Sequence, residues 1–263
     1  MIEKNEGFPT ALEAFFLVAA LFALEFVISA AMYDMRNILA LPAQDVGGMT
    51  TLLGNAVVFT AVMHYKSLTY RDLFHSSPDS VATTLVALIP AIAMTIPALV
   101  LLTSTVGSYL VAWFPLSESE TAMFEEMGSG SFGAIIGACV LAPILEEMLF
   151  RGIILRSFLR QYSRWAAIVG SAAIFGLAHM NIYQFCAALV LGIIAGWLYE
   201  RTRSLLTCIA LHAAYNGTLT LIELSAAEGT NNGFLDPTPS FYFASAVLAA
   251  AGISMLRHAT HRE

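Results

Sequence analysis

The chain has 263 residues, of which 58% are hydrophobic and 12% are charged, and its formal net charge is −7 at pH 7. Soluble domains are typically about 45–50% apolar and about 25% charged, so this composition excludes an ordinary water-soluble domain. The few basic residues form no nucleic-acid-binding pattern, so we expect no nucleic-acid partner. The mean hydropathy of +0.73 indicates a chain that lies mostly in a membrane.

Long apolar stretches recur along the whole length. About 20 apolar residues cross the hydrocarbon core of a bilayer as a helix that rises about 1.5 Å per residue. We therefore predict an all-α, polytopic transmembrane bundle of about eight spanning helices, forming a single domain over residues 1–263. The predicted spans are residues 10–33, 46–65, 81–104, 131–160, 164–180, 183–200, 204–225 and 239–257. The first stretch is too long for the apolar region of a signal peptide, so it is counted as a span.

Two features interrupt this pattern. Pro90 and Pro97 remove backbone N–H donors inside the third span, which predicts kinks there and a second short helix that continues through Trp113. A polar insert between residues 115 and 130 predicts a surface helix. Its four glutamates are Glu118, Glu120, Glu125 and Glu126.

The basic residues predict the orientation, because cytoplasmic loops are enriched in Lys and Arg. With eight spans, most of them fall on one side of the membrane. They are Lys4, Lys66, Arg71, Arg156, Arg160, Arg164, Arg201, Arg203, Arg257 and Arg262. The acidic insert and the 228–236 loop fall on the other side, and Arg36 is the exception. We predict that both termini are cytoplasmic, in an integral protein of a bacterial inner membrane surrounded by membrane lipids.

Three cysteines, Cys139, Cys186 and Cys208, fall inside apolar segments and lack the spacing of a metal site. Free cysteines are among the most buried residue types. They are therefore predicted to be small buried side chains without a chemical role.

The fourth predicted span contains Glu146, Glu147 and Arg151. An ionisable residue inside a membrane is a candidate functional residue, because it is costly unless paired. Glu147 and Arg151 are spaced i, i+4, so they are predicted to form an ion pair on one helix face. Glu146 lies about 100° around the helix and is predicted to face a cavity, helped by a kink at Pro143. A structural ion pair would explain Glu147 and Arg151 but not Glu146.

Two later spans carry polar residues at the same spacing. Phe175 lies one turn from His179, and His212 lies one turn from Asn216 with small residues between them. Histidine and asparagine can donate hydrogen bonds to a developing oxyanion. Packing of His179, and hydrogen bonding between helices by His212 and Asn216, are the structural alternatives. Glu25 in the first span has no motif around it and is expected either to pair with a donor or to line the cavity.

The distance from the cytoplasmic arginines indicates whether these residues meet. Glu146 is 14 residues from Arg160 and His179 is 15 residues from Arg164, so both lie roughly 21–23 Å deep. His212 follows Arg203 by nine residues, which gives roughly 14 Å. The depth of His212 is smaller than the other two by about a turn and a half of helix. A tilted helix, or a seventh span that begins further into the cytoplasm, would close this gap.

Glu-Glu-x-x-x-Arg, Phe-x-x-x-His and His-x-x-x-Asn, in this order on successive apolar segments, resemble the CPBP family. Its members are the CAAX prenyl endopeptidases, their Abi-type relatives, and bacteriocin-processing or immunity proteins. The resemblance covers about residues 137–220, within a family-like core of about 131–225.

This resemblance implies an intramembrane endopeptidase with a bundle of eight helices. In it, Glu146 and His179 would activate a water molecule, and His212 and Asn216 would stabilise the oxyanion. Glu147 and Arg151, with Phe175, would support the site. The substrate would be a membrane-associated peptide or protein, and a lipidated one is compatible with this reading.

The sequence is also compatible with other mechanisms and functions. The chain lacks His-Glu-x-x-His, so a zincin-type metal site is not encoded. A zinc ion on Glu146, His179 and His212 remains the alternative to the favoured metal-free site. A non-catalytic scaffold, immunity or regulatory protein could use the same polar cluster for binding. A secondary transporter is less favoured, because no paired broken helices or internal repeat are evident.

Overall fold

A computed structural model of the chain describes residues 7–36, 38, 43–227 and 237–260. Within these residues the regular elements are helices, and the β-type pairing is an isolated bridge between His75 and Ser204. The helices are α1 Ala11–Met35, α2 Ala43–Lys66, α3 Tyr70–Phe74, α4 Val81–Trp113, α5 Glu118–Met127, α6 Phe132–Gln161, α7 Arg164–Leu177, α8 Ile182–Thr202, α9 Leu205–Ala227 and α10 Pro239–Ala259. The predicted all-α class is confirmed.

In the part of the chain that the structure describes, seven helices are long and apolar enough to cross a membrane. The remaining predicted span, 164–180, is α7, which has only 14 residues. Such a helix rises about 21 Å, less than the roughly 30 Å of a hydrocarbon core. It ends early because the chain turns at Met180, whose φ of 56° lies in the left-handed region. The short length of α7 places this turn beside the middle of α6.

Helix α4 runs without interruption through Pro90 and Pro97 over 33 residues. The prediction of a second short helix ending at Trp113 was therefore wrong. At about 1.5 Å per residue α4 is roughly 50 Å long, so it extends beyond a hydrocarbon core of about 30 Å. It packs against α8, α9 and α10 and forms the centre of one side of the bundle.

The acidic insert forms α5, which begins with a capping box between Ser117 and Glu120 and buries none of its residues. This agrees with the predicted surface helix. Beside it, the Tyr183 hydroxyl at the start of α8 donates to the Phe114 carbonyl, 2.7 Å away. The insert therefore lies next to the α7–α8 turn.

Helices α7 and α8 form an antiparallel pair. An ion pair of 2.9 Å between Arg164, at the start of α7, and Glu200, near the end of α8, joins them at the end away from the Met180 turn. The basic residues of these two helices, which were predicted to lie on the cytoplasmic side, are thus found at the same end of the helix pair. Lys4, Arg262 and the 228–236 loop lie outside the described residues. The cytoplasmic location of both termini stays a prediction.

The three cysteines are free, and they differ in burial. Cys208 is fully buried and its thiol donates to the Ala195 carbonyl at 3.3 Å, as expected for a small core side chain. Cys139 and Cys186 are only half-buried, so they are less buried than predicted.

Candidate active site

The site is built around a buried ion pair in α6. Arg151 Nη1 lies 2.8 Å from Glu147 Oε1, and the two side chains are 1% and 0% exposed. The ion pair predicted from the i, i+4 spacing is therefore present. Gly192 in α8 provides room for the guanidinium, because a Cβ at that position would lie 3.2 Å from Arg151 Nη2.

His212 of α9 joins the same carboxylate. Its Nδ1 lies 2.9 Å from Glu147 Oε1, and the imidazole is buried. Because a carboxylate accepts hydrogen bonds, Nδ1 carries a proton and donates it to Glu147. Glu147 thus ties α9 to α6 as well as pairing with Arg151. The sequence did not indicate this contact, which joins residues 65 positions apart.

Glu146 occupies a different environment from its neighbour. Its side chain is 30% exposed, and Oε2 lies 3.7 Å from His212 Nε2. The carboxylate also lines a cavity of about 390 Å³ between α1, α2, α6 and α7. One acid of the pair is therefore buried and paired, and the other faces a cavity, as the helix geometry predicted.

His179 lines the same cavity from the turn after α7. It lies just beyond the C-cap residue Ala178 rather than inside a helix as predicted. Its Nδ1 lies 3.0 Å from the Phe175 carbonyl. A carbonyl can only accept, so Nδ1 carries a proton, and in the neutral form of the ring the lone pair is on Nε2.

The Phe175 ring packs between the ionisable groups. It is buried and lies edge-on to His179 at 5.1 Å and to His212 at 5.9 Å between ring centroids. The Arg151 guanidinium carbon lies 4.6 Å from the centroid of the same ring. A single aromatic side chain therefore packs against both histidines and the buried arginine.

Asn216 lies one turn beyond His212 on α9, and its amide Nδ2 donates to the Ala138 carbonyl of α6 at 2.7 Å. This bond between helices is the structural alternative raised by the sequence. An amide nitrogen has two hydrogens, so this contact leaves one donor. Asn216 does not belong to the described lining of the cavity that contains Glu146 and His179.

Helix α6 is not a regular α-helix around the glutamates. Residues Gly137–Leu141 and Met148–Leu155 are π-helical, and Ala142–Glu147 between them is α-helical with Pro143 near its start. π-helical turns frequently occur at functional sites. Pro143 lacks an N–H donor, so one hydrogen bond of the helix is missing there. The kink predicted at Pro143 stays a prediction.

The cavity also contains Glu25, for which the sequence gave two alternatives. Both are observed: Glu25 lines the cavity, and Asn55 Nδ2 donates to its Oε1 at 3.0 Å. Among the described residues, no group of three His, Cys, Asp or Glu side chains has a geometry that could hold a metal ion. The prediction of a metal-free site stays a prediction.

Comparison with known proteins gives two matches. Residues 128–218 match the family model of type II CAAX prenyl endopeptidase Rce1-like proteins. A stretch of 90 residues is 29% identical to the Bacillus subtilis (strain 168) protein named "Putative membrane peptidase YdiL", and it covers 34% of this chain and 37% of that protein. The chain thus matches little more than a third of this relative's length. No solved structure gives a significant match.

The matched segment contains the two glutamates, the arginine, both histidines and Asn216 of the site. The resemblance predicted from the three motifs is therefore confirmed. Over residues 128–218 the chain is similar to the Rce1-like type II CAAX prenyl endopeptidases.

Proposed function

We propose that this protein is an intramembrane endopeptidase that hydrolyses a peptide bond of a membrane-associated peptide or protein. The observation that carries the proposal is Glu146, a carboxylate that faces a cavity and lies 3.7 Å from a buried imidazole. The match to the Rce1-like family supports the same activity. Apolar helices on both sides of the cavity favour a substrate that is itself held in the membrane, including a lipidated one.

Glu146 is the proposed general base. Its carboxylate takes a proton from a water molecule while the water oxygen attacks the carbonyl carbon of the scissile bond. His179 presents the lone pair of Nε2 to the same cavity, where it accepts a hydrogen bond from the second O–H of the water and orients the nucleophile. That hydrogen stays on the attacking oxygen. Collapse of the tetrahedral intermediate breaks the C–N bond, and the proton held by Glu146 passes to the amine that leaves.

His212 and Asn216 are the proposed donors to the oxyanion. Because His212 Nδ1 already donates to Glu147, the ring can donate through Nε2 only as an imidazolium with two N–H groups. In that form two carboxylates, Glu146 and Glu147, are balanced by Arg151 and His212, so the cluster is neutral. Neutrality matters because an uncompensated charge is costly in a low-dielectric interior.

The proposed activity is tested by incubating the purified protein in bilayer nanodiscs with a library of membrane-anchored peptides, both prenylated and acylated. Mass spectrometry of the products is expected to show defined new termini that increase with time. A complete lack of cleavage with a folded protein would favour the non-catalytic scaffold instead.

Replacing Asn216 with alanine should lower turnover by about two to three orders of magnitude and leave KM nearly unchanged, because an oxyanion donor acts mainly in the transition state. Loss of its hydrogen bond to Ala138 should lower stability by only about 0.5–1.5 kcal/mol. Kinetics and thermal melting are compared with Thr220→Val. This control removes a polar contact to α6 one turn further along α9. An Asn216→Ala protein with normal kcat would contradict the role.

The proposal that the site works without a metal ion is tested separately. The active wild-type protein should contain no stoichiometric zinc by elemental analysis, and chelators should leave its turnover unchanged. A zinc site would instead use Glu146, His179 and His212, since carboxylate and imidazole are ordinary zinc ligands. One tightly held zinc per chain, lost in His179→Ala and His212→Ala, would contradict the metal-free account but not the peptidase activity.

A further inference from the structure

A second carboxylate enters the proposed catalytic cavity from the other side. Glu25 lies in α1, outside the segment that matches the Rce1-like family, and it lines the same cavity as Glu146 and His179. The described lining also contains apolar side chains, and it contains no lysine or arginine. A cavity of about 390 Å³ is within the size range of sites that bind small molecules and side chains.

Glu25 is held in a defined position. Asn55 is 5% exposed, and its amide nitrogen donates both to Glu25 Oε1 at 3.0 Å and to the Thr51 carbonyl at 2.9 Å. Gly54 leaves room for the side chain, because a Cβ at that position would lie 2.5 Å from Glu25 Cγ. The neighbouring helix α2 is thus shaped to place this carboxylate at the cavity.

Among the described residues, no lysine, arginine or histidine forms an ion pair with Glu25. Arg151 is bound to Glu147, and His212 lies between Glu147 and Glu146. His179 bonds the Phe175 carbonyl through Nδ1. The partner of Glu25 among the described residues is the neutral amide of Asn55. A carboxylate in a mostly apolar cavity is strongly stabilised by a cation, and a bound substrate can supply one.

We propose that Glu25, oriented by Asn55, binds the ammonium or guanidinium group of a lysine or arginine residue close to the scissile bond of the substrate. The inference rests on the proposed peptidase function and specifies its substrate class. Because Glu25 and Glu146 line one cavity, the basic residue must lie within a few positions of the bond that is cleaved.

Binding is measured first, separately from catalysis. The probes are palmitoylated peptides of neutral sequence in which lysine, or norleucine as its uncharged counterpart, occupies each position in turn. In Glu146→Gln protein, at least one lysine peptide should bind about tenfold more tightly than its norleucine counterpart. In Glu146→Gln/Glu25→Gln this ratio should fall to about twofold or less.

Turnover of the same peptides gives the second measurement. The wild-type protein should favour the lysine peptide in kcat/KM, and Glu25→Gln should lose that preference while it still cleaves the norleucine peptide. Gly54→Ala keeps the carboxylate but displaces it, so it should weaken the preference. Glu13→Gln is the matched control, because Glu13 lies on the same helix, caps its N-terminus and does not line the cavity.

The outcomes separate the two proposals. Equal binding of lysine and norleucine peptides, or a lysine preference that survives Glu25→Gln, would overturn the role of Glu25. If cleavage of neutral peptides still depended on Glu146 in that case, the peptidase function would stand. If no peptide were cleaved but lysine binding depended on Glu25, the cation site would stand and the peptidase function would fail.

Discussion

Replacing Arg151 with alanine is expected to destabilise the protein by about 3–5 kcal/mol, the typical effect of breaking a buried ion pair. The guanidinium contacts Glu147 at 2.8 Å and packs on the Phe175 ring, and only 1% of the side chain is exposed. When the guanidinium is lost, His212 is the remaining partner of the Glu147 carboxylate. Thermal melting in detergent and limited proteolysis should both show the loss, together with poor expression.

Arg160→Ala provides the matched control, because Arg160 belongs to the same helix and is exposed. Its effect should be small, since exposed charges contribute about 0–1 kcal/mol. Arg151→Lys, which keeps the charge but lacks the planar guanidinium, should fall between the wild type and Arg151→Ala. A stable and fully active Arg151→Ala protein would show that the ion pair does not hold the site together.

Replacing Glu146 with glutamine should lower turnover by at least about a hundredfold, because general-base catalysis typically contributes about 10²–10⁴-fold. Glutamine keeps the shape and most of the hydrogen-bonding capacity of glutamate but cannot accept the proton. The side chain is 30% exposed to the cavity, so the variant should remain folded with an unchanged Tm. Steady-state kinetics and melting measure the two effects separately.

Glu126→Gln, the same chemical change on the exposed helix α5, should leave activity unchanged. Glu146→Asp retains a carboxylate but withdraws it by one methylene, so it should keep part of the activity. Near-normal turnover by Glu146→Gln would remove this residue from the proposed mechanism.

Local spacing predicted the part of the site that lies within one helix. Glu147 and Arg151 are one turn apart, and their contact follows from helix geometry alone. The bond between His212 and Glu147 joins α9 to α6. It depends on how the helices pack, which no short-range pattern encodes. Glu25 illustrates the same limit, because its partner Asn55 lies on another helix.

The gap in depth between His212 and Glu146 was overestimated for two physical reasons. Glu146 lies less deep than a uniform α-helical rise implies, because Met148–Leu155 between Glu146 and Arg160 is π-helical, with wider turns that rise less per residue. Arg203 also does not mark the start of α9 at the membrane surface. Ser204, the next residue, is fully buried and pairs with His75, so α9 begins inside the protein.

The length of α7 was overestimated because apolar composition continues past its last helical residue. The left-handed conformation of Met180 ends the helix, and no glycine or proline marks that turn in the sequence. The early end is what brings His179 to the cavity. Continuity of α4 through two prolines was missed because their effect on the helix depends on the helices packed around it.

The central claim is that Glu146 activates water for attack on a peptide bond. The most direct measurement is cleavage of a defined membrane-anchored peptide in water labelled with oxygen-18, by wild-type and Glu146→Gln proteins in parallel, with mass spectrometry of both products. We expect labelled oxygen in the new carboxyl terminus formed by the wild type, at a rate at least about a hundredfold higher than with Glu146→Gln. Equal rates of labelled product from the two proteins would contradict the account.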